Sequence, residues 1–321
     1  MKLTFRVLAV ILAGLFLQAS VMAQATQPIR VVLPFSPGAG TDIVMRLIGD
    51  QMSQQLGQVV LTVNRPGGEG IIGASEVARA MPDGLTLLFA TGNGLIAQPL
   101  LKGSAGVPYD PFKDFTPISS LGRFTLVLVA APGVPVNSVA ELVEYVRARP
   151  GKLNYAASST ATRMAVIQLM NQYKLDMAYV PYKGDAPALQ DLLADRVQLM
   201  VTTAAAAIPF AKDNRLRPLV VLRDSRSPVM PTVPDRKEAG VRITVGTWAG
   251  LYGPGKLPAA TVERINRALH RSLAVPELHD RLEQLGFEPV PTTPAEMEAI
   301  HRQEYEVFRK AIQEDGIKFG D

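Results

Sequence analysis

Short apolar runs rich in β-branched residues alternate with helical patterns along this chain, and this alternation limits its fold more than any other feature. The runs at 29–35, 59–63 and 85–91 predict buried strands. Between them, residues 41–57 and 71–81 carry apolar side chains three and four positions apart, which is typical of helices packed on a core. A strand-helix-strand-helix-strand order predicts an α/β fold with a largely parallel sheet and helices on its faces.

The same alternation restarts with the strand predicted at 124–130 and continues to residue 222. Ser138 is the predicted N-cap of the first helix in this second half. From residue 258 onward the pattern is mainly helical, and the run at 247–253 predicts one more strand just before it. We interpret the strands at 124–130 and 247–253 as two points at which the chain crosses between two sheets.

Two crossings mean that one lobe is inserted in the other. We expect a first lobe made of residues 28–125 plus 251–321 and an inserted second lobe made of residues 126–250. Each lobe should contain a mostly parallel sheet flanked by helices. Two lobes joined in this way enclose a ligand cleft that can close by a hinge motion.

The N-terminus has the pattern of a secretory signal peptide. Lys2 and Arg6 precede an apolar run at 7–19, and the small-residue segment "VMA" ends at Ala23. The apolar run is shorter than the roughly 20 residues that a membrane span needs. We expect cleavage near Ala23, after a signal peptide of residues 1–23, and a soluble periplasmic protein; the alternative is an uncleaved N-terminal anchor.

Composition argues against several classes of protein. The formal net charge is +4, and no basic run is interleaved with aromatic residues, so we expect no nucleic-acid partner. The chain has no cysteine, which excludes thiolate chemistry. Its three histidines all fall in predicted C-terminal helices without metal-ligand spacing: His270, His279 and His301. We therefore expect no metal, no cofactor and no catalytic residue. We also expect a monomeric protein.

Two of the predicted strands end in glycine-containing loops that lead directly into helices, at 34–44 ("PFSPGAGTDIV") and 64–74 ("NRPGGEGIIGA"). Small residues let a ligand approach the backbone, and the helix that follows presents unpaired N–H groups and the positive end of its dipole. This combination binds anions without a charged side chain. In a parallel sheet both loops lie at the same edge.

The second loop also contains G-x-G-x-x-G, at Gly68, Gly70 and Gly73, which raises the alternative of a dinucleotide site. Such a site needs an acidic residue about 20 positions later to bind the ribose. The segment at that distance, "FATGNGL", has no carboxylate, and the motif lies in the second strand-helix unit instead of the first. A small organic anion is the better interpretation; glycines that serve tight turns alone are the structural alternative.

Hydroxyl side chains form a third candidate wall in "YAASSTATRM", residues 155–164. Ser158, Thr160 and Thr162 precede or begin a predicted helix, where they can cap the helix and donate to a ligand. Asp185 lies between a predicted strand and helix, in "VPYKGDAPAL", and its alternative role is a solvated N-cap.

Taken together, these motifs resemble the Bug family, the substrate-binding receptors of tripartite tricarboxylate transporters. The resemblance rests on the two glycine loops, "PDGLTLL", "VPYKGDAPALQDLLADRV", "WAGLYGP" and "LGFEPVPTTPAEM", and it covers nearly the whole mature chain. It implies a two-lobed α/β periplasmic binding protein fold, type II-like, that closes on small carboxylates through loop backbone, hydroxyls and waters.

The chain departs from the family pattern in each wall of the expected site. Ala39 replaces a glycine of the first loop, Glu69 stands where the second loop usually has a glycine, and Arg163 falls near the place of a histidine. A carboxylate beside an anion is unfavourable. Either Glu69 faces solvent, or the ligand offers it a cationic or hydroxyl group.

We expect a receptor for a small organic anion: a di- or tricarboxylate, an acidic amino acid or an aromatic carboxylate. The expected partner is the permease of a tripartite tricarboxylate transporter. An exported enzyme acting on a small carboxylate, or a sensory receptor for a membrane signalling protein, are the alternatives. The expected ligand-binding residues are Phe35, Ser36, Ala39, Gly40, Thr41, Asp42, Gly70, Asn93, Ser158, Thr160, Thr162 and Asp185.

Overall fold

The computed structural model describes residues 27–314 except residues 244, 246 and 247. The predicted signal peptide, residues 1–23, lies outside the described residues. In chain order the strands are β1 (Ile29–Leu33), β2 (Val60–Asn64), β3 (Thr86–Thr91), β4 (Phe115–Phe124), β5 (Leu126–Ala130), β6 (Asn154–Ala157), β7 (Ala178–Pro181), β8 (Leu199–Thr203), β9 (Arg217–Val221), β10 (Trp248–Pro254) and β11 (Phe287–Pro289).

The helices flank two separate sheets. In chain order they are α1 (Gly40–Leu56), α2 (Ile71–Ala78), α3 (Gln98–Gly106), α4 (Val139–Arg147), α5 (Thr160–Tyr173), α6 (Asp185–Leu193), α7 (Ala204–Lys212), α8 (Ala259–Leu273), α9 (Pro276–Gln284) and α10 (Pro294–Glu314). The first sheet has the order β11-β4-β10-β3-β1-β2, and the second has the order β7-β6-β8-β5-β9. We call the part built on the first sheet the first lobe and the part built on the second sheet the second lobe.

The expected α/β fold with two lobes is confirmed, but the sheets are mixed and not mostly parallel. Strands β1, β2 and β3 pair in parallel, whereas β10 runs antiparallel to both β3 and β4. In the second sheet β6 pairs in parallel with β7 and β8, whereas β5 runs antiparallel to β8 and β9. The reason is the crossing: β5 and β10 each enter their sheet at the edge where the neighbouring strands end.

The crossing strands are also the most deeply buried. Every residue of β5 and of β10 is buried, as expected for strands covered by helices on both faces. Ser138 caps α4 as predicted, since its side chain accepts a hydrogen bond from the backbone N–H of Glu141. Within the described residues, no helix is both long enough and apolar enough to cross a membrane.

Strand β4 was not expected, because hydroxyl groups interrupt its apolar pattern. Ser119 and Ser120 are nevertheless buried in the first sheet. The hydroxyl of Ser119 donates to the carbonyl of Thr292 at 2.9 Å, and the hydroxyl of Thr292 accepts from the backbone N–H of Ser120 at 2.9 Å. Distant residues therefore satisfy the polar groups of this strand.

The strand directions bring the loops of interest to one place. Strands β1, β2 and β3 all end at one edge of the first sheet, and β6, β7 and β8 all end at one edge of the second sheet. Both edges carry the beginnings of helices. Contacts between the two edges, described next, show that they face each other.

Candidate functional site

Asp42 braces the loop between β1 and α1. Its buried carboxylate accepts hydrogen bonds from the backbone N–H of Gly38 at 2.9 Å, from Asn64 at 3.0 Å and from Arg46 at 3.1 Å. Burial alone would raise the pKa of Asp42, but the bonds from Arg46, Gly38 and Asn64 outweigh it and hold this pKa below its ordinary value. Asp42 therefore fixes the shape of the loop, and donors of the protein itself hold its carboxylate.

Gly40 and Thr41 differ from the rest of this loop in the hydrogen-bond donors that they present. The N–H of Ala39 is used within the loop, where it donates to the carbonyl of Ser36 at 3.3 Å. Gly40 and Thr41 open α1, and the first N–H groups of a helix have no carbonyl partner within it. The Oγ1 atom of Thr41 is buried and, among the described residues, has no hydrogen-bond partner. A buried hydroxyl without a partner beside such N–H groups is the pattern of an anion site.

The other candidates of the first loop have different surroundings. The ring of Phe35 packs edge-on against Phe89, with ring centroids 6.3 Å apart, and belongs to the margin of the first lobe's core. Its carbonyl accepts from the side chain of Asn64 at 3.1 Å. Ser36 is exposed. Ser36 is therefore open to solvent, whereas Phe35 mainly supports the loop.

Glycines of the second loop serve close packing. Gly70 is buried with φ of 100°, and a Cβ at this position would lie 3.2 Å from the Cα of Gly94. A Cβ at Gly73 would lie 3.1 Å from the Cβ of Pro34. The second loop is thus packed between the first loop and the turn Asn93–Ala97, which begins at the candidate Asn93.

Glu69 in this second loop reaches the second lobe. Its Oε2 atom accepts a hydrogen bond from Nε2 of Gln98 at 2.9 Å and another from the hydroxyl of Thr160. Nε2 of Gln98 also lies 3.1 Å from Oγ1 of Thr160. The expected alternatives were a Glu69 that faces solvent or one that meets a cationic or hydroxyl group of the ligand. The structure instead gives its carboxylate a hydroxyl of the protein's own opposite lobe.

Asp185 joins the ends of three strands in the second lobe. Its carboxylate accepts from the hydroxyl of Ser158, from the hydroxyl of Thr202 at 2.8 Å and from the backbone N–H of Thr203. Burial raises the pKa of Asp185 above its ordinary value, although these bonds oppose the rise. Gly184, and not Asp185, is the N-cap of α6. The carboxylate therefore holds Ser158 in place and is not the solvated cap that was the alternative.

Of the hydroxyl side chains at the start of α5, two cap the helix and one faces the cleft. Ser159 is the N-cap, and its side chain and that of Thr162 form a reciprocal capping box. Thr162 is consequently engaged with its own helix. Thr160 is the hydroxyl of this group that contacts the first lobe, through Glu69 and Gln98.

Arg163 packs against aromatic residues of the second lobe. Its guanidinium lies 4.0 Å from the centre of the Tyr179 ring, and it also hydrogen-bonds to Tyr155. Burial raises the pKa of Tyr179, the Arg163 cation lowers it and the Glu69 carboxylate raises it, so that the net shift is upward. Charges from both lobes therefore act on this tyrosine.

Gln98 and Thr203 complete the contact between the lobes, and neither residue was predicted from the sequence. A Cβ at Gly40 would lie 3.7 Å from Oγ1 of Thr203, which is the N-cap of α7. The Gly40–Thr203 contact and the Glu69–Thr160 bond both join the facing edges of the two sheets. Neither Gln98 nor Thr203 lies in a glycine loop or a recognisable motif, and helices α3 and α7 were not predicted.

Comparison with known proteins identifies the family of this chain. Residues 44–317 match the family described as "Tripartite tricarboxylate transporter family receptor". Among relatives, BugT of Bordetella pertussis is 28% identical over 95% of this chain and 94% of its own length.

Three solved structures share the fold over most of the chain. Rpa4515 of R. palustris, solved with adipate, has a TM-score of 0.85 and 30% identity and covers 92% of this chain and 99% of its own. MatC of Rhodopseudomonas palustris, solved with bound malate, has a TM-score of 0.81 and 30% identity and covers 89% of this chain and 99% of its own. The periplasmic binding protein BugD has a TM-score of 0.83 and 29% identity and covers 91% of this chain and 99% of its own. This chain therefore belongs to the Bug proteins, the receptor family of the tripartite tricarboxylate transporters.

Proposed function

We propose that this chain is an exported receptor that captures a small organic anion and passes it to the membrane permease of a tripartite tricarboxylate-type transporter. The candidate ligands are small carboxylates, namely di- or tricarboxylates, acidic amino acids and aromatic carboxylates. The mature chain begins near Gln24 and acts in the periplasm. Two related receptors support the ligand class, since they were solved with adipate and with malate.

The observation that carries the proposal is the hydroxyl of Thr41 at the start of α1, which has no hydrogen-bond partner among the described residues. The carboxylate of Asp42 is already bound by Gly38, Arg46 and Asn64. It therefore does not serve as the acceptor for this hydroxyl or for the N–H groups beside it. A ligand carboxylate would accept from the backbone N–H groups of Gly40 and Thr41 and from the Thr41 hydroxyl. Charge-assisted hydrogen bonds of this kind are each worth roughly 1.5–3 kcal/mol.

Ligand binding completes the contact between the lobes. The lobes, residues 28–125 plus 251–321 and residues 126–250, approach each other around the ligand, and Thr203 of the second lobe already lies opposite Gly40. Ser36, Ser158 and Thr160 line the same edges. The cleft binds its ligand without converting it, and the protein acts as a monomer.

A thermal-shift screen of the exported protein tests this function. Carboxylates should raise the melting temperature, because a ligand that binds only the folded state stabilises it, and the corresponding amides should not. The amides are matched controls, since they keep the shape and lose the charge. Chemical conversion of a stabilising ligand during incubation would favour the exported enzyme instead. A chain that no carboxylate stabilises would contradict the proposal.

A further inference from the structure

The carboxylate of Glu69 lies in a small binding site formed by two donors of the protein. Gln98 and Thr160 both donate to its Oε2 atom, and these donors come from helices α3 and α5 on opposite sides of the cleft. Thr160 is the first residue of α5, where the helix dipole favours a negative charge. An amide, a hydroxyl and a helix N-terminus make a suitable site for the end of a carboxylate ligand, and here a side chain of the protein occupies it.

The backbone conformation at Glu69 directs its side chain into this site. Its φ of 53° lies in the left-handed region, which side chains other than glycine rarely adopt. Its flanking residues, Gly68 and Gly70, have φ of 55° and 100° and are glycines. A side chain in such a conformation turns the carboxylate out of the second loop and toward Thr160. The same conformation means that glycine can replace Glu69 without straining the loop.

The charge of Glu69 also lies near the expected ligand. Strands β1 and β2 are neighbours in the sheet, so the second loop lies beside the first loop and its anion site at Gly40 and Thr41. The Glu69 carboxylate contributes to the raised pKa of Tyr179, so its charge acts on a residue of the second lobe. A second anionic group brought to this end of the cleft would meet a like charge and would find Gln98 and Thr160 already engaged.

We propose that Glu69 determines ligand specificity: its carboxylate occupies the Gln98–Thr160 site, so the cleft accepts ligands with a single carboxylate and disfavours dicarboxylates. This inference rests on the proposed function and narrows its ligand class to monocarboxylates. The single carboxylate binds at Gly40 and Thr41. The end of the ligand that faces Glu69 is uncharged.

Acetate tests the Gln98–Thr160 site without knowledge of the natural ligand. Glu69→Gly empties the site and keeps a suitable backbone, whereas Glu69→Gln keeps a side chain of the same shape in it. Acetate should raise the melting temperature of Glu69→Gly more than that of the parent or of Glu69→Gln, with sodium chloride at equal ionic strength as the control. The additional shift should disappear in the double variant Glu69→Gly/Thr160→Val. Equal acetate shifts in the parent and in Glu69→Gly, or an additional shift that survives Thr160→Val, would overturn the inference.

Calorimetry with adipate and its monoamide tests the specificity itself, because the two differ only in the charge at one end. The parent should prefer the monoamide, and Glu69→Gly should shift the preference toward adipate by about tenfold, the equivalent of one charge-assisted hydrogen bond. An unchanged preference would refute the assigned role. Should neither compound bind, the acetate comparison alone decides. A parent that ignores acetate while Glu69→Gly responds would refute the anion site at Gly40 and Thr41 and leave the Glu69 assignment standing.

Discussion

Gly40 and Thr203 meet across the cleft, with the position of a Gly40 Cβ only 3.7 Å from Oγ1 of Thr203. One added carbon at this distance makes an ordinary van der Waals contact, whereas the two further methyl groups of valine should crowd the cleft. Gly40→Ala should therefore bind a carboxylate nearly as well as the parent. Gly40→Val should lose about tenfold or more in affinity, because it displaces the ligand or keeps the lobes apart. Isothermal titration calorimetry measures both.

Arg163→Ala is the control for the rival view that a side-chain cation holds the ligand. Arg163 stacks on Tyr179, so its loss should alter the second lobe but retain binding at the first loop. A parent-like Gly40→Val together with an Arg163→Ala variant that no longer binds would mean that the ligand is held by an ion pair.

Thr41→Val replaces a buried hydroxyl that has no partner among the described residues by a methyl group of the same size. The ligand-free variant should melt no lower than the parent, because no protein hydrogen bond is lost. Its affinity for a carboxylate should fall about tenfold or more, because the ligand loses one charge-assisted hydrogen bond worth roughly 1.5–3 kcal/mol. Differential scanning fluorimetry and calorimetry give the two numbers, and an unchanged affinity would remove Thr41 from the site.

Closure of the lobes should be visible in solution. Small-angle X-ray scattering is measured on the parent and on Glu69→Gly, each with and without a saturating carboxylate. The ligand-bound samples should have a smaller radius of gyration than ligand-free Glu69→Gly, since that variant has lost the bond from Glu69 to Thr160. The parent should change less on binding than Glu69→Gly does. Identical radii in all four samples would indicate a rigid cleft.

His301 should make the folded state sensitive to acid. Burial lowers its pKa from 6.5 to about 4, although a hydrogen bond with the backbone of Leu95 opposes this shift. Between these two values the unfolded chain binds more protons than the folded chain, so stability falls as the pH is lowered from 6.5 to about 4. The loss should reach roughly 3 kcal/mol from this group.

His301→Phe should remove this part of the pH dependence, because phenylalanine does not titrate and can still pack against Phe112, whose ring centroid is 4.8 Å away. Urea unfolding at several pH values measures the slope, and His279→Gln is the control, since His279 is partly exposed. Equal slopes in the parent and His301→Phe would show that another group is responsible.

Export should remove the first 23 residues. Mass spectrometry of the periplasmic fraction should find a chain that begins at Gln24, because "VMA" precedes it after the apolar run. An intact chain beginning at Met1 and recovered with membranes would show instead that the apolar run remains as an anchor.

Most of the fold could be predicted because its strands and helices have clear periodicities. Helix α1 and strands β1, β2 and β3 were all predicted within a few residues of their observed bounds. Sheet direction was predicted less well. The antiparallel course of β5 and β10 follows from where each enters its sheet, which no local pattern encodes.

The site was harder to predict, because its residues have partners far away in the chain. The loops at Gly40 and Gly70 stood out by composition, yet sequence alone did not show that Gly70 is needed for packing on Gly94. Gln98 lies 62 positions from Thr160, and no spacing rule connects them. Glu69 drew attention only as a charge among glycines, and its contact with the opposite lobe required coordinates.

In the second sheet, the first strand in chain order, β5, pairs with the last, β9, and Val127 lies opposite Val221. In the first sheet, Arg123 and Trp248, which flank the two crossings, are likewise paired. A segment whose two ends leave and return through neighbouring strands can be exchanged as one piece, because the gap it leaves is about one strand spacing wide. Grafting residues 125–247 of one such receptor onto the first lobe of another would therefore combine the anion-binding loop of one protein with the opposite cleft wall of a second.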